Sequence, residues 1–202
     1  PMFFISITIH EFAHAYIASK LGDNTAKKLG RLTLNPFKHA DLIGTVIMPI
    51  ASFTSGIALI GWAKPVPIDR SNFKNHLRDD AVVSFAGPLS NFILSLIFFL
   101  AYIVTLNLSF SGQQYVENIF WYGVFFNIFL FLFNLLPFPP LDGSHILYDI
   151  FPNNFTAKIL NLGFYGTIIL LLFIYSPLWG FFTDLINFVL GLFIKVERVI
   201  NG

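Results

Sequence analysis

Residues 81–106 read AVVSFAGPLSNFILSLIFFLAYIVTL and contain no charged side chain. The core of a bilayer is crossed by about 20 apolar residues in helical form, so this segment alone is long enough to span a membrane. Its apolar residues run continuously instead of alternating with polar ones, which favours a helix over a strand. The segment therefore predicts a membrane-spanning helix, around which the rest of the chain can be arranged.

The composition of the whole chain agrees with this prediction. Of the 202 residues, 55% are hydrophobic and only 11% are charged, whereas a soluble domain carries about 25% charged residues. The net charge of +1 provides no basic surplus for nucleic acid. The absence of Cys excludes disulfide scaffolds, thiolate metal sites and thiol nucleophiles. These numbers exclude a soluble protein and a nucleic-acid partner, and they leave the lipid bilayer as the surrounding medium.

Further charge-free runs extend the pattern along the chain. In lipid, only helices or closed barrels satisfy the backbone polar groups, and continuous apolar runs favour helices. We predict spans near residues 1–20, 81–106, 117–136, 159–176 and 178–196. The predicted fold is an all-α polytopic membrane protein, a single membrane-embedded domain over residues 1–202, with about five to six transmembrane helices.

The distribution of Lys and Arg sets the expected orientation. Basic residues cluster in 20–41 and 61–80, whereas 107–117 has none. If residues 42–60 dip into the membrane and return, both basic clusters are cytoplasmic and 107–117 is external. An ordinary span through 42–60 with a weak charge bias is an equal alternative. The fold prediction therefore includes a re-entrant or β-hairpin element.

The first predicted helix contains His10-Glu11-Phe12-Ala13-His14. Positions i and i+4 share one face of a helix, so both imidazoles can reach one metal ion while Glu11 lies beside it. This is the HExxH arrangement of two zinc ligands and a general base. Chance gives about 0.002 such matches in a chain of this composition. Ionisable residues inside a membrane span also point to function by default.

Asp142 is the best candidate for a third ligand. Catalytic zinc usually takes three protein ligands and leaves a fourth position to water. Asp142 follows three prolines in NLLPFPPLDG, residues 134–143. Proline ends the preceding helix, and interrupted backbone at membrane depth is tolerated where it lines a protein cavity. Taken alone, Asp142 is equally well read as the N-cap of a short helix, but the HExxH pair favours the metal.

Two asparagines in the apolar runs, Asn91 and Asn134, are candidates for contact with a substrate. An amide in hydrocarbon hydrogen-bonds inward, either to a substrate carbonyl or to a neighbouring helix. Residues 31–35 alternate between apolar and polar side chains, which predicts a strand. We take as a hypothesis that this strand pairs with an extended substrate.

HEFAH, GPLSN and NLLPFPPLDG, in this order, resemble the site-2 protease family of intramembrane zinc metalloproteases. The pieces GRLTLNPFKHAD, GWAKPVPID and AGPLSNF are similar to its compact prokaryotic branch, which lacks PDZ and CBS domains. The resemblance implies zinc binding by His10, His14 and Asp142. It also implies that Glu11 is the base and that Asn91 and Asn134 position the substrate.

The predicted function is an intramembrane zinc endopeptidase with one Zn2+ per chain, acting on transmembrane protein substrates through zinc-activated water and Glu11. The alternative is a membrane zinc transporter or sensor, since transporters also place ionisable groups at the midplane. We expect a multi-pass protein of the cell (inner) membrane with its active site nearer the cytoplasmic side. The chain starts without Met and nine residues before His10, so we expect a preceding helix of the family fold to be missing. The oligomeric state is not predicted.

Overall fold

A computed structural model describes residues 2–41 and 64–201, together with residues 44, 47, 50, 51 and 54. Within these residues the regular structure is helical and includes no strand, which confirms the predicted all-α class for this part of the chain. The helices are α1 (Met2–Lys20), α2 (Thr25–Lys28), α3 (His76–Leu106), α4 (Gln113–Asn134), α5 (Asp142–Ile150), α6 (Asn154–Leu160), α7 (Phe164–Ile174) and α8 (Leu178–Asn201), with 3-10 turns at Pro36–Lys38 and Arg70–Asn72.

Three of the described helices are long and apolar enough to cross a membrane, namely α3, α4 and α8. A fourth crossing results if α6 and α7, which meet at 87°, form one broken span. Helix α1 covers its predicted range, but its two His and one Glu lower its mean hydropathy. The predicted count of about five to six spans is therefore not confirmed in the described residues.

Residues 31–35 form a bend and not the predicted strand. The Thr33 hydroxyl accepts the N–H of Asn35, and the Asn35 side chain accepts the N–H of Phe37. Hydrogen bonds of this kind favour turns over extended pairing. The strand prediction was wrong, and the hypothesis that this segment pairs with a substrate loses its basis. The predicted re-entrant segment, 42–60, lies largely outside the described residues.

Helix α3 makes the main packing contacts of the structure, since α1, α4 and α5 all lie against it. An apolar core joins α3 to α4 and α8 through buried residues such as Phe99, Ile128 and Phe182. Gly123 of α4 lets this core close, because a Cβ there would lie 2.7 Å from the ring of Phe98. The opposite packing surface of α3 meets α1 and α5, and it is much more polar.

Residues 64–69, which we call the strap, run outside the helices and join several of them. The strap ends at Asp69, whose N–H donates to Oδ2 of buried Asp23 at 2.9 Å, just after α1. Burial alone would raise the pKa of Asp23. Hydrogen bonds from Thr25, Asp69 and Asn72 outweigh that effect and hold this pKa below its usual value. The charged carboxylate thus links the end of α1 to the end of the strap.

Candidate metal centre

Three side chains converge between α1 and α5. His10 and His14 lie one turn apart on α1, with their Nε2 atoms 3.0 Å from each other. Asp142 is the first residue of α5. Its Oδ2 lies 3.2 Å from Nε2 of His10 and 3.4 Å from Nε2 of His14. The two imidazoles are buried and the carboxylate is partly exposed, so the cluster is open on one side.

Both imidazole rings are oriented by acceptors on α3. Nδ1 of His10 lies 2.7 Å from Oδ1 of Asn91, and Nδ1 of His14 lies 2.8 Å from the carbonyl oxygen of Val83. An acceptor at Nδ1 assigns the ring proton to that nitrogen and leaves Nε2 unprotonated. Two lone pairs and a carboxylate therefore face one another, an arrangement that a bound cation stabilises.

The spacing of these atoms fits zinc. Ligand atoms bound to a tetrahedral zinc ion at about 2.0–2.1 Å are separated from one another by about 3.3 Å. Here the three separations run from 3.0 to 3.4 Å. In addition, Oδ2 of Asp142 is buried and has no hydrogen-bond partner among the described residues, whereas buried polar atoms are normally paired. Two imidazoles and one carboxylate would leave a fourth zinc position to water.

Two glycines permit the close packing around this cluster. A Cβ on Gly87 of α3 would lie 2.7 Å from Cε1 of His10 and closer still to the ring of His14. A Cβ on Gly143 would collide with the carbonyl group of Leu135. A larger residue at 87 would displace the imidazoles, and one at 143 would move the start of α5.

Glu11 lies next to the cluster on α1. Its Oε2 accepts the main-chain N–H of Val66, in the strap, at 2.8 Å. The Val66 side chain is buried in a small core with Ala15 and Ala26. The strap therefore packs against the part of α1 that carries the predicted base.

Asn91 is fully buried, and its whole amide is engaged. While Oδ1 faces His10, Nδ2 donates to Oδ1 of Asn127 at 3.0 Å and to the carbonyl of Ser6 at 3.2 Å. Asn127, also fully buried, donates in turn to the Gly123 carbonyl of α4. A chain of amides thus runs from α4 to His10. Sequence reasoning missed Asn127, although an amide inside a charge-free run is a signal that could have found it, as it did for Asn134.

The structure places the remaining predicted features differently. The amide of Asn134 donates to the Leu130 carbonyl of its own helix at 2.9 Å, and no described hydrogen bond joins it to the cluster. The alternative role of Asp142 as an N-cap does not hold, because Leu141 occupies that position and no side chain caps α5. The carboxylate of Asp142 is thus left to face the imidazoles.

Comparisons with known proteins bear on this centre. A family model described as peptidase family M50 matches residues 1–117 and 103–174. The chain is 44% identical over 183 residues to YwhC of Bacillus subtilis, which covers 88% of this chain and 80% of YwhC. It is 31% identical over 144 residues to Rip2 of Mycolicibacterium smegmatis, which covers 69% of this chain and 51% of Rip2. Both relatives bear the name "putative zinc metalloprotease". No solved structure matches the chain significantly.

Proposed function

The chain belongs to peptidase family M50, the site-2 protease family, and from this membership we propose that it cleaves peptide bonds within transmembrane segments of protein substrates. Membership makes the chain a membrane zinc metalloendopeptidase. The proposal adds the class of substrate, one zinc ion per chain, a single catalytic domain over residues 1–202 and the role of each residue in the centre.

The convergence of His10, His14 and Asp142 beside Glu11 is the observation that carries the proposal. We assign the first three as the zinc ligands, since their facing atoms lie 3.0 to 3.4 Å apart and both Nδ1 atoms are held from behind. When bound, zinc lowers the pKa of its water towards about 7 and polarises a substrate carbonyl.

Glu11 moves the proton in the proposed reaction. Its carboxylate accepts a proton from the attacking water, which forms a bond to the carbonyl carbon of the substrate. The protonated Glu11 then donates the same proton to the leaving nitrogen as the C–N bond breaks. The products are a new carboxylic acid and a new amine, and Glu11 returns to its starting state.

We propose different roles for the two predicted asparagines. Asn91 keeps His10 in the tautomer with Nε2 free, since its Oδ1 accepts from His10 and its N–H groups are taken by Asn127 and Ser6. Asn134 is the better candidate for contact with the substrate, because its amide donates to the Leu130 carbonyl of its own helix and not to the cluster. Its amide can reorient at the cost of one hydrogen bond.

Comparison of membrane proteomes from cells that express the wild type or Glu11→Gln tests the substrate class. New termini that fall within transmembrane segments, present only with the wild type, are the expected result. If the fragments that depend on Glu11 all end in soluble loops, the proposed substrate class is wrong.

Metal analysis of the purified variants tests the roles of the residues. Glu11→Gln should keep its zinc, because Glu11 lies outside the ligand set, whereas His14→Ala and Asp142→Ala should lose it. Zinc at full occupancy in Asp142→Ala would remove that residue from the ligand set. Zinc uptake into vesicles by a wild type that cleaves nothing would favour the transporter alternative.

A further inference from the structure

We propose that the main-chain N–H of Val66 is a positioning group for the catalytic base. It holds Oε2 of Glu11 and leaves Oε1 to face the attacking water. The inference rests on the proposed function, since it takes Glu11 as the base. It assigns one residue of the strap, Val66, a part in catalysis beyond packing against α1.

The contact itself is short and chemically selective. The Val66 N–H lies 2.8 Å from Oε2 of Glu11, and a donor to an ionised carboxylate makes a stronger hydrogen bond than one to a neutral acceptor. Pro65 and Pro67 have no N–H, so Val66 carries the single main-chain donor of residues 65–67. Residues 65–67 can thus offer only one main-chain N–H to Glu11, that of Val66.

The backbone that presents this amide is stiff. Proline fixes its own φ and restricts the residue before it to extended conformations. Lys64 and Val66 each precede a proline, so four consecutive residues of the strap have little conformational freedom. The N–H of Val66 is therefore held in place before any substrate arrives.

Both ends of the strap are anchored to other parts of the molecule. The guanidinium of buried Arg31 donates through Nη2 to the carbonyl of Lys64 at 2.7 Å. The N–H of Lys64 donates to the carbonyl of His39 at 3.0 Å. At the other end, the N–H of Asp69 donates to Asp23. Burial of an Arg side chain on backbone carbonyls costs desolvation, and here its effect is to hold the strap against α1.

The hydrogen bond from Val66 to Glu11 should affect the rate of the chemical step and not the binding of substrate or zinc. A general base has to lie about 2.6–3.2 Å from the atom that carries the proton it accepts. A free Glu side chain samples several rotamers that miss this position. One oxygen held by the strap fixes the plane of the carboxylate. Loss of the N–H should lower kcat while the zinc ligands and the substrate contacts are unchanged.

An amide-to-ester replacement in the full-length protein removes the N–H and keeps every side chain. It also weakens the Pro65 carbonyl as an acceptor, but that carbonyl receives only a long hydrogen bond from Arg31, at 3.4 Å. The hydroxy-acid analogue of valine at position 66 keeps the side chain and replaces the N–H with oxygen. We expect kcat to fall about 10-fold or more, the range for a hydrogen bond to a charged group, with KM and zinc content unchanged. The matched control is the same ester at Ile68, whose N–H makes no hydrogen bond among those described; it should keep the wild-type kcat.

Two further measurements distinguish loss of the hydrogen bond from a folding defect. Val66→Pro also removes the donor and should show the same loss of kcat with zinc retained. In a Glu11→Asp background the side chain is one methylene shorter, which draws the carboxylate away from the Val66 N–H, so the ester at 66 should cause a smaller additional loss. An equal fold loss in both backgrounds, or loss of zinc in both donor-free variants, would overturn the inference.

The remaining outcomes separate this inference from the proposed function. Wild-type or raised kcat in the ester at 66, with Glu11→Gln inactive, would overturn the role of Val66 and leave Glu11 as the base. Cleavage by Glu11→Gln would instead overturn the proposed function. The substrate for these assays is a membrane protein identified by the comparison of proteomes.

Discussion

Helix α3 orients the imidazoles of His10 and His14 through hydrogen bonds to their Nδ1 atoms. Asn91 and the Val83 carbonyl accept from the two Nδ1 atoms, and Gly87 leaves room for both rings. None of these three groups belongs to the proposed ligand set. The geometry of the centre is thus set by a helix that contributes no ligand, which is how partners beyond the ligands usually act at metal sites.

Gly87→Ala should abolish zinc binding and cleavage while the helix itself becomes more stable. Alanine is favoured over glycine in a helix by about 1 kcal/mol, but its methyl group would lie 2.7 Å from Cε1 of His10. Metal analysis and thermal melting of the purified protein check both effects. Gly180→Ala on α8 is the matched control, because a Cβ there meets nothing within 4 Å. Full zinc occupancy in Gly87→Ala would contradict the packing argument.

Asn127→Ala should weaken zinc binding or turnover about 10-fold, the usual effect of removing a partner that orients a ligand. The change takes away one acceptor of the Asn91 amide, which can then rotate away from His10. Chelator competition and kcat measure the effect. Asn161→Ala removes an amide with the same kind of bond, to a carbonyl four residues earlier at 2.8 Å. Equal losses in both variants would indicate a general loss of stability.

At the scale of elements, α5 has to hold Asp142 in place although it is only nine residues long. An isolated helix of this length is unstable in water, and polar contacts join it to α3. Oδ2 of Asp80, near the start of α3, lies 2.6 Å from Nε of Arg70 and 3.5 Å from Nδ1 of His145 on α5. The buried carboxylate of Asp80 on α3 thereby contacts both Arg70, the residue that follows the strap, and His145 on α5.

Asp80→Asn should loosen α5 and so speed the loss of zinc. The amide keeps the size of the side chain but loses the charge that attracts Arg70, and we expect a cost of about 1–3 kcal/mol in unfolding free energy. Thermal melting and the rate of zinc release to a chelator measure the two effects. Asp184→Asn, at an exposed position on α8, serves as the control. A lower melting temperature with an unchanged rate of zinc release would mean that the contacts of Asp80 do not help to hold Asp142 in place.

Asp149 on α5 predicts a dependence of stability on pH. Burial, with a smaller contribution from Asp80, raises its pKa to about 7. The folded state therefore holds this proton more tightly than the unfolded state, so stability falls as pH rises towards 7. Asp149→Asn should be more stable than the wild type by a margin that grows from about pH 4 and levels off above about pH 7. Melting at several pH values checks this, and a margin independent of pH would contradict it.

Local patterns were sufficient to predict some elements and insufficient for others. The charge-free runs located α3 and α4, and the HExxH spacing predicted two imidazoles on one face of α1, because both features depend on neighbouring residues. Residues 159–176 were predicted as one span, but the chain breaks at 161–163 and α7 starts after Gly163, which has a positive φ of 53°. That glycine was a readable turn signal.

The parts of the site that sequence reasoning missed all involve contacts between distant residues. Nothing near Val66 indicates that its N–H meets Glu11, and nothing near Gly87 indicates an imidazole ring. Such contacts depend on how the helices pack against one another. The periodicity and spacing of residues within one element do not predict that packing. The short alternation at 31–35 failed for a local reason, since Thr33 and Asn35 satisfy the backbone by turn bonds.

At the scale of the whole molecule, two contacts between distant residues lie near the start of α3, and one loop lies at its far end. The N–H of Lys64 donates to the carbonyl of His39, so these two residues, which come before and after segment 42–60 in the chain, lie side by side. The amide of Asn72 donates to Asp23 at 3.0 Å, so the residues that precede α3 lie beside the end of α1. Residues 107–112, which connect α3 to α4, follow the far end of a 31-residue helix.

Cysteine labelling should show this arrangement in intact cells. The chain has no Cys, so single cysteines at the exposed positions Asn24, Ser71 and Gln114 report without background. The basic loops predict that Asn24→Cys and Ser71→Cys are cytoplasmic and resist an impermeant thiol reagent, while Gln114→Cys reacts. Labelling of Asn24→Cys and Ser71→Cys from outside would reverse the orientation. Different labelling of these two would contradict the contact between Asp23 and Asn72.

His14 and Asp142 are separated by more than half of the chain, yet their facing atoms are 3.4 Å apart. During synthesis, α1 is therefore made long before the residue that completes its centre. A nascent chain that has inserted only α1, α3 and α4 offers two imidazoles and Glu11 but lacks the carboxylate. We expect it to hold zinc weakly and to leave neighbouring membrane proteins intact. With Asp142 as the proposed third ligand, the order of the residues along the chain would delay proteolysis until the ribosome has passed α5.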